Sequence, residues 1–154
     1  MSLDNILEDA GWYPGREIVI DRMVAIFEQR KFKLFEITKY ILTLFGDLYL
    51  CVHENIRLDL RFEIFDGDDS FNYVNFSNSS VEIVERFFKD EISPIGLLAF
   101  LYEGREIYSV DEVYVSKYGD ILVLSDLGIY RFVDFNDFLY KVGYGFYHVV
   151  ASFI

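Results

Sequence analysis

"IRLDLRFEI", residues 56–64, alternates without a fault: Ile56, Leu58, Leu60, Phe62 and Ile64 are apolar, while Arg57, Asp59, Arg61 and Glu63 are charged. A period of two sends these sets to opposite faces of a strand, one buried and one wet, as in an antiparallel sheet. The chain before it has another period. Leu3, Ile6, Leu7 and Ala10 form the stripe of a short helix that ends at Gly11. Ile20, Met23, Val24 and Phe27 repeat the stripe, with Asp21 as the expected cap and Arg30 and Lys31 at the C-terminal end, where cations favour the helix dipole. Leu34, Ile37, Ile41, Leu44 and Phe45 predict a third helix stopped by Gly46, and "FGDLYLCV" a first strand.

Beyond residue 64, "DGDDS" reads as a loop and "FNYVNF" as a short pairing strand. Ser79 and Glu82 have the spacing of a capping box for a fourth helix, with Val84, Phe87 and Phe88 inward. Past Pro94 the segments "LLAFLY", "EIYSV", "EVYVS", "DILVLS" and "GIYRFV" predict short strands. "VDFNDFLYKV" predicts a closing helix capped by Asp134 or Asn136, with Phe135, Phe138, Leu139 and Val142 inward. The expectation is one α+β domain over residues 1–154, with helices packed on a mostly antiparallel sheet.

At 154 residues the chain can bury roughly 70% of its unfolded surface without metals or disulfides. A single cysteine, Cys51, favours a reducing compartment, and "MSLDNILEDA" lacks the basic start of a signal peptide, so a cytoplasmic protein is expected. The uncharged stretch 142–154 is too short to span a bilayer, which needs about 20 residues; it reads as a buried terminal element, or else as an exposed docking tail. Twenty-six acids against fourteen bases give a net charge of −12. That field disfavours nucleic acid and anionic membrane and favours a basic partner, although acidity also simply keeps an aromatic-rich chain soluble.

Catalytic and metal motifs do not assemble. Cys51-x-His53 supplies two ligands on one face of a strand, and a zinc site needs more; His148 is remote. Asp66, Asp68 and Ser70 begin like a calcium loop, but Phe71 replaces its Gly and Ser77 its bidentate Glu. No serine lies in a G-x-S-x-G elbow, and "GYG" lacks the lysine and helix of a phosphate loop. No enzyme activity, metal or cofactor is expected.

What remains is surface. Residues 103–137 carry eight acids against three bases, net −5, interleaved with tyrosines. Tyrosine offers a large contact area at low entropic cost. Asp111, Glu112, Asp120 and Asp126, with Tyr108, Tyr114 and Tyr118, are therefore the candidate partner contacts. The competing explanation is that sheets are rich in tyrosine anyway.

"AGWYPGRE", residues 10–17, followed by two helices and "FGDL", resembles the start of the SUKH-3 branch of the SUKH superfamily, which typically has an "AGW-x-PGR" segment and a later "FG-G-L". Asp47 stands where the second Gly is usual. "SPIG", then "GDILVLSDLGIYRF" and a final helix, is similar to the ending of that family, and the likeness covers about residues 5–143, leaving 144–154 unmatched. The resemblance implies a SUKH-like α+β fold and an immunity protein that neutralises a cognate intracellular toxin of a bacterial polymorphic or contact-dependent system, commonly a nuclease or another intracellular enzyme, with a basic nuclease the expected target. Other branches are adaptors, so a non-catalytic adaptor is the alternative, with a small-ligand binder or enzyme using a cleft near Arg16 or His53 behind it. Gly11, Trp12, Pro14, Gly15, Gly46, Pro94 and Gly96 are expected to be structural. Arg16 is expected to pair with a carboxylate inside the domain, or else to line a groove used by the partner.

Overall fold

A computed structural model describes residues 3–62, 78–144 and 149–152. The helices are α1 (Leu3–Asp9), α2 (Asp21–Arg30), α3 (Glu36–Phe45), α4 (Asn78–Phe88) and α5 (Phe135–Gly143). The strands are β1 (Tyr49–His53), β2 (Ile56–Asp59), β3 (Ile92–Tyr102), β4 (Glu106–Ser116), β5 (Ile121–Leu124), β6 (Gly128–Phe132) and β7 (Val149–Ser152). The strands lie in chain order, β1 to β7, and each neighbouring pair is antiparallel. This is an α+β fold with helices packed on the sheet, and no described helix is long and apolar enough to cross a membrane.

Alternation along the central strands divides the core in two. Val113 and Val115 of β4 and Ile121 and Val123 of β5 pack with Ile6 and Leu7 of α1, Ile41 and Phe45 of α3, and Phe138 and Leu139 of α5. Tyr114 and Leu122, between them in sequence, face the other way and pack with Met23 and Phe27 of α2 and Val84 of α4. Leu42 of α3 joins this second cluster, so α3 ties the two together. Each large apolar side chain buried in this way contributes about 1.5–3 kcal/mol before entropy is counted.

Several local expectations are corrected. Asp21 is not the cap of α2: Ile20 holds that position without a side-chain bond, and Asp21 lies in the first turn, where its charge complements the helix dipole. Ser79 lies inside α4, which begins at Asn78, so the capping-box spacing to Glu82 falls within the helix. Phe87, expected inward, is exposed, while Phe88 is partly buried. "EIYSV" and "EVYVS" are one eleven-residue strand, because both stretches pair with the single long strand β3. Pro94 sits inside β3, where the register shifts between Pro94 and Gly96 and a missing N–H is tolerated. The "DGDDS" and "FNYVNF" segments, with Asp66, Asp68 and Ser70, lie outside the described residues.

The alternating stretch also departs from its pattern. Strand β2 stops at Asp59, and the Asp59 side chain is buried instead of wet. Its Oδ1 accepts from the backbone N–H of Arg61 at 2.9 Å and from Arg61 Nε at 2.8 Å, and Oδ2 accepts from the Arg61 guanidinium at 3.0 Å. A side chain that bonds the backbone two residues on turns the chain out of the ladder. Leu97 pairs opposite Asp59, and beside it the sheet needs Gly96, whose added Cβ would stand 2.5 Å from the Asp59 carbonyl oxygen.

The closing helix follows expectation. Asp134 caps α5 by accepting from the Asp137 N–H at 2.7 Å, and Phe135, Phe138, Leu139 and Val142 are buried. The end of the chain returns as β7, which pairs with β6; the burial of its side chains lies outside the described residues.

Candidate partner-binding surface

The corner that carries "AGWYPGRE" is structural down to its charge. Gly15 has φ +84°, a conformation glycine adopts without strain, and it brings Arg16 under the end of α3. Arg16 is 7% exposed. Its guanidinium donates to the Leu44 carbonyl at 2.7 Å and the Gly46 carbonyl at 2.8 Å. The partner is therefore neither a carboxylate nor a groove: a cation occupies the negative C-terminal end of a helix and satisfies carbonyls left without intrahelical donors. Trp12 stacks on Phe45 with centroids 6.1 Å apart and an interplanar angle of 14°. Phe45 in turn meets Phe135 at 4.8 Å, so the corner, α3 and the start of α5 form one packed unit.

Of the seven expected contact residues, the six whose side chains are described do not form one face. Tyr114 is fully buried, and its hydroxyl donates to Glu112, so its ring cannot meet a partner. Its size and apolar ring suit the second core cluster, an outcome that the count of surface tyrosines could not distinguish. Glu112 also accepts from the Ser80 hydroxyl at 3.4 Å and is held by α4. Burial pushes its carboxyl up, against the bonds from Tyr114 and Ser80. Asp120 is engaged by Arg131 Nε at 2.6 Å across the β5–β6 pair. Asp111 and Glu112 are successive strand residues and project to opposite faces. Tyr118 is 72% exposed in the β4–β5 turn, at the far end of the sheet from Asp126, which is exposed in the β5–β6 turn. The side chain of Tyr108 lies outside the described residues.

Asp111 does feel its neighbours. Burial first, then the charges of Asp126 and Glu112, raise the Asp111 carboxyl from 3.8 to about 7. The folded chain then holds a proton that the unfolded chain releases between about pH 4 and pH 7. The stabilisation from this group is full below its unfolded value and is lost as pH rises to about 7. Asp111→Asn should remove that decline and stabilise the protein by about 1–2 kcal/mol at pH 8, after discounting for solvent screening, with little effect at pH 4. Urea melts at the two pH values read the difference directly; equal differences at both would contradict it.

Two concave regions accompany these residues. One, of about 430 Å³, is lined by Cys51, His53 and Glu54 of the β1–β2 hairpin together with Ile6, Gly143 and Tyr144. Cys51 Sγ donates to the backbone carbonyl of His53 at 3.4 Å, and among the described residues no group of three or more His, Cys, Asp and Glu could hold a metal ion. The other, of about 270 Å³, runs between α3 and the start of α5, with Tyr40, Tyr118 and Asp134 on its rim. Sequence reasoning found Tyr118 but missed Tyr40 and Asp134, since nothing in the sequence brings residues 40, 118 and 134 together. The meeting of α3, the β4–β5 turn and the start of α5 does.

Comparison with known proteins gives a family profile described as SUKH-3 immunity protein, matched over residues 1–124. No curated protein and no solved structure matches. The profile takes in the corner, α3 and the sheet through β5, while β6, α5 and β7 follow it. A match over this much of the sequence establishes the relationship: the chain belongs to the SUKH-3 immunity protein family.

Proposed function

We propose that the protein protects the cell that makes it by binding a cognate toxin one to one and covering its working surface, with no chemical turnover. Membership of an immunity protein family carries this reading. A net charge of −12 supports a basic target, and a nuclease is the target class proposed, because an enzyme that grips phosphate backbones presents a positive surface that an acidic inhibitor complements. The site of action is the cytoplasm, where such a toxin would meet its substrate. Arg16 does not favour the ligand-binding alternative, since its donors are directed at backbone carbonyls.

The test is co-expression with the toxin encoded beside this gene. Growth should be restored by this protein and not by an unrelated acidic protein of equal charge. Binding should weaken at least tenfold between low and moderate salt, mainly through slower association, because steering is screened within about 10 Å at 0.1 M. Toxicity unchanged by co-expression would overturn the immunity reading; salt-independent binding would overturn the basic target.

A further inference from the structure

We infer that the groove between α3 and the start of α5 receives an apolar anchor side chain of the toxin that is flanked by a lysine or arginine. This rests on the immunity reading and names where and how the partner is gripped.

The floor of the groove is apolar: Ile37, Ile41, Leu44 and Phe45 come from α3 and Phe135 from α5. Its volume, about 270 Å³, is room for a large side chain of a partner. The rims are tyrosines left in water, Tyr40 at 61% exposure and Tyr118 at 72%. Rings of this kind flanking an apolar floor are the residue type that carries binding energy at interfaces, because they bring area with few rotors to freeze. Tyr140, one turn beyond the groove residue Asn136 on α5, is also exposed; its ring meets that of Tyr144, which lines the other concave region, at 4.8 Å and a tilt of 44°.

The electrostatics select the occupant. Among the described residues Asp134 is the one charged residue lining the groove. It uses Oδ1 to cap α5, and a carboxylate keeps acceptor capacity beyond one such bond. The lysines next to the rim tyrosines are already paired: Lys39 with Glu36 at 3.5 Å and Lys117 with Asp90 at 3.3 Å. A second copy of this chain would bring another −12 against this rim, whereas a basic partner brings complementary charge.

The floor is also held in shape before binding. Arg16 fixes the carbonyls at the end of α3, and the Trp12–Phe45–Phe135 stack fixes the ring at the bottom. A preformed pocket spares the complex the cost of ordering it. Thus the sequence corner that marks the family also supports the surface assigned here to the partner.

The experiment measures binding of purified wild-type protein and variants to the toxin encoded beside the gene, in a catalytically inactive form, by calorimetry and stopped flow. Y40A/Y118A, two exposed side chains, should fold as the wild type does and bind about 10- to 100-fold more weakly, chiefly through faster dissociation. D134N keeps a good helix cap while removing the charge, and should slow association a few-fold and reduce the salt dependence. D126N, at the other end of the sheet, is the comparison. If the wild type binds and the groove variants bind equally well, or only D126N weakens binding, the groove assignment is wrong and the immunity reading stands. If the wild type does not bind at all, both fall.

Discussion

Replacing Arg16 with methionine should lower stability by about 3 kcal/mol, a shift of about 6–12 °C in melting temperature for a domain of this size. The substitution keeps much of the apolar stem but leaves the Leu44 and Gly46 carbonyls without their donors at a site where water has little access. Hydrogen bonds to a charged group contribute about 1.5–3 kcal/mol each, and two that share one guanidinium fall short of the simple sum. Arg16→Lys should recover no more than about half, because an ammonium is a point charge and cannot span both carbonyls as a planar fork does. In urea the midpoint should fall while the slope stays constant. Toxin binding should weaken in both variants beyond the loss in folded protein, since the end of α3 forms the groove floor. A stability loss under about 1 kcal/mol would mean that the corner is held by packing alone.

The second large effect is expected at Asp59. Asp59→Ala should cost about 3 kcal/mol, since it removes a fully buried carboxylate and with it three bonds to Arg61. The Arg61 guanidinium also lies 4.4 Å from the centroid of the Tyr49 ring, so its position depends on both partners. The double variant D59A/R61A should therefore cost less than the two single losses added, as coupled groups do. Additive losses would show that Asp59 acts through its backbone turn and not through the ion pair.

Asp59 also shows why a faultless pattern was only partly legible. Among the described residues the apolar half of "IRLDLRFEI" behaves as read: Ile56, Leu58, Leu60 and Phe62 are all buried, while Glu63 and Ile64 lie outside them. The charged half does not, because an aspartate two residues before an arginine can satisfy itself locally and enter the core, and alternation carries no information about that bond. Helices were legible from their stripes, apart from Phe87 of α4, and α5 best of all: its four inward apolar residues are buried, and of the two caps the sequence left open, Asp134 and Asn136, the first holds the position. The caps of α2 and α4 were misplaced because a polar residue near a helix start suits either the cap or the first turn. Strand β4 was divided at Asp111, a residue type common in turns; its continuity comes from pairing with β3, which is a non-local fact.

The surface was least legible for the same reason. Composition correctly marks tyrosines and acids as abundant, but Tyr114 and Tyr118, four residues apart, end at opposite extremes of exposure. The end of β4 decides that: the two residues share a parity, but β4 stops at Ser116, so Tyr114 is held in the sheet and Tyr118 lies in the turn after it. Asp120 was read as a candidate partner contact, but it is paired with Arg131, and that distance is set by the β5–β6 hairpin. The family motif, in contrast, could be recognised as text while its mechanics, an arginine bonded to the end of a helix, could not.

The most direct test of the central claim is a titration of toxin activity with purified wild-type protein at concentrations well above the dissociation constant. Inhibition by binding predicts a linear fall that ends at one equivalent, with full recovery of activity when the complex is separated. Activity abolished by a small fraction of an equivalent, or toxin that stays inactive after separation, would show that this protein modifies its target chemically and would contradict the account.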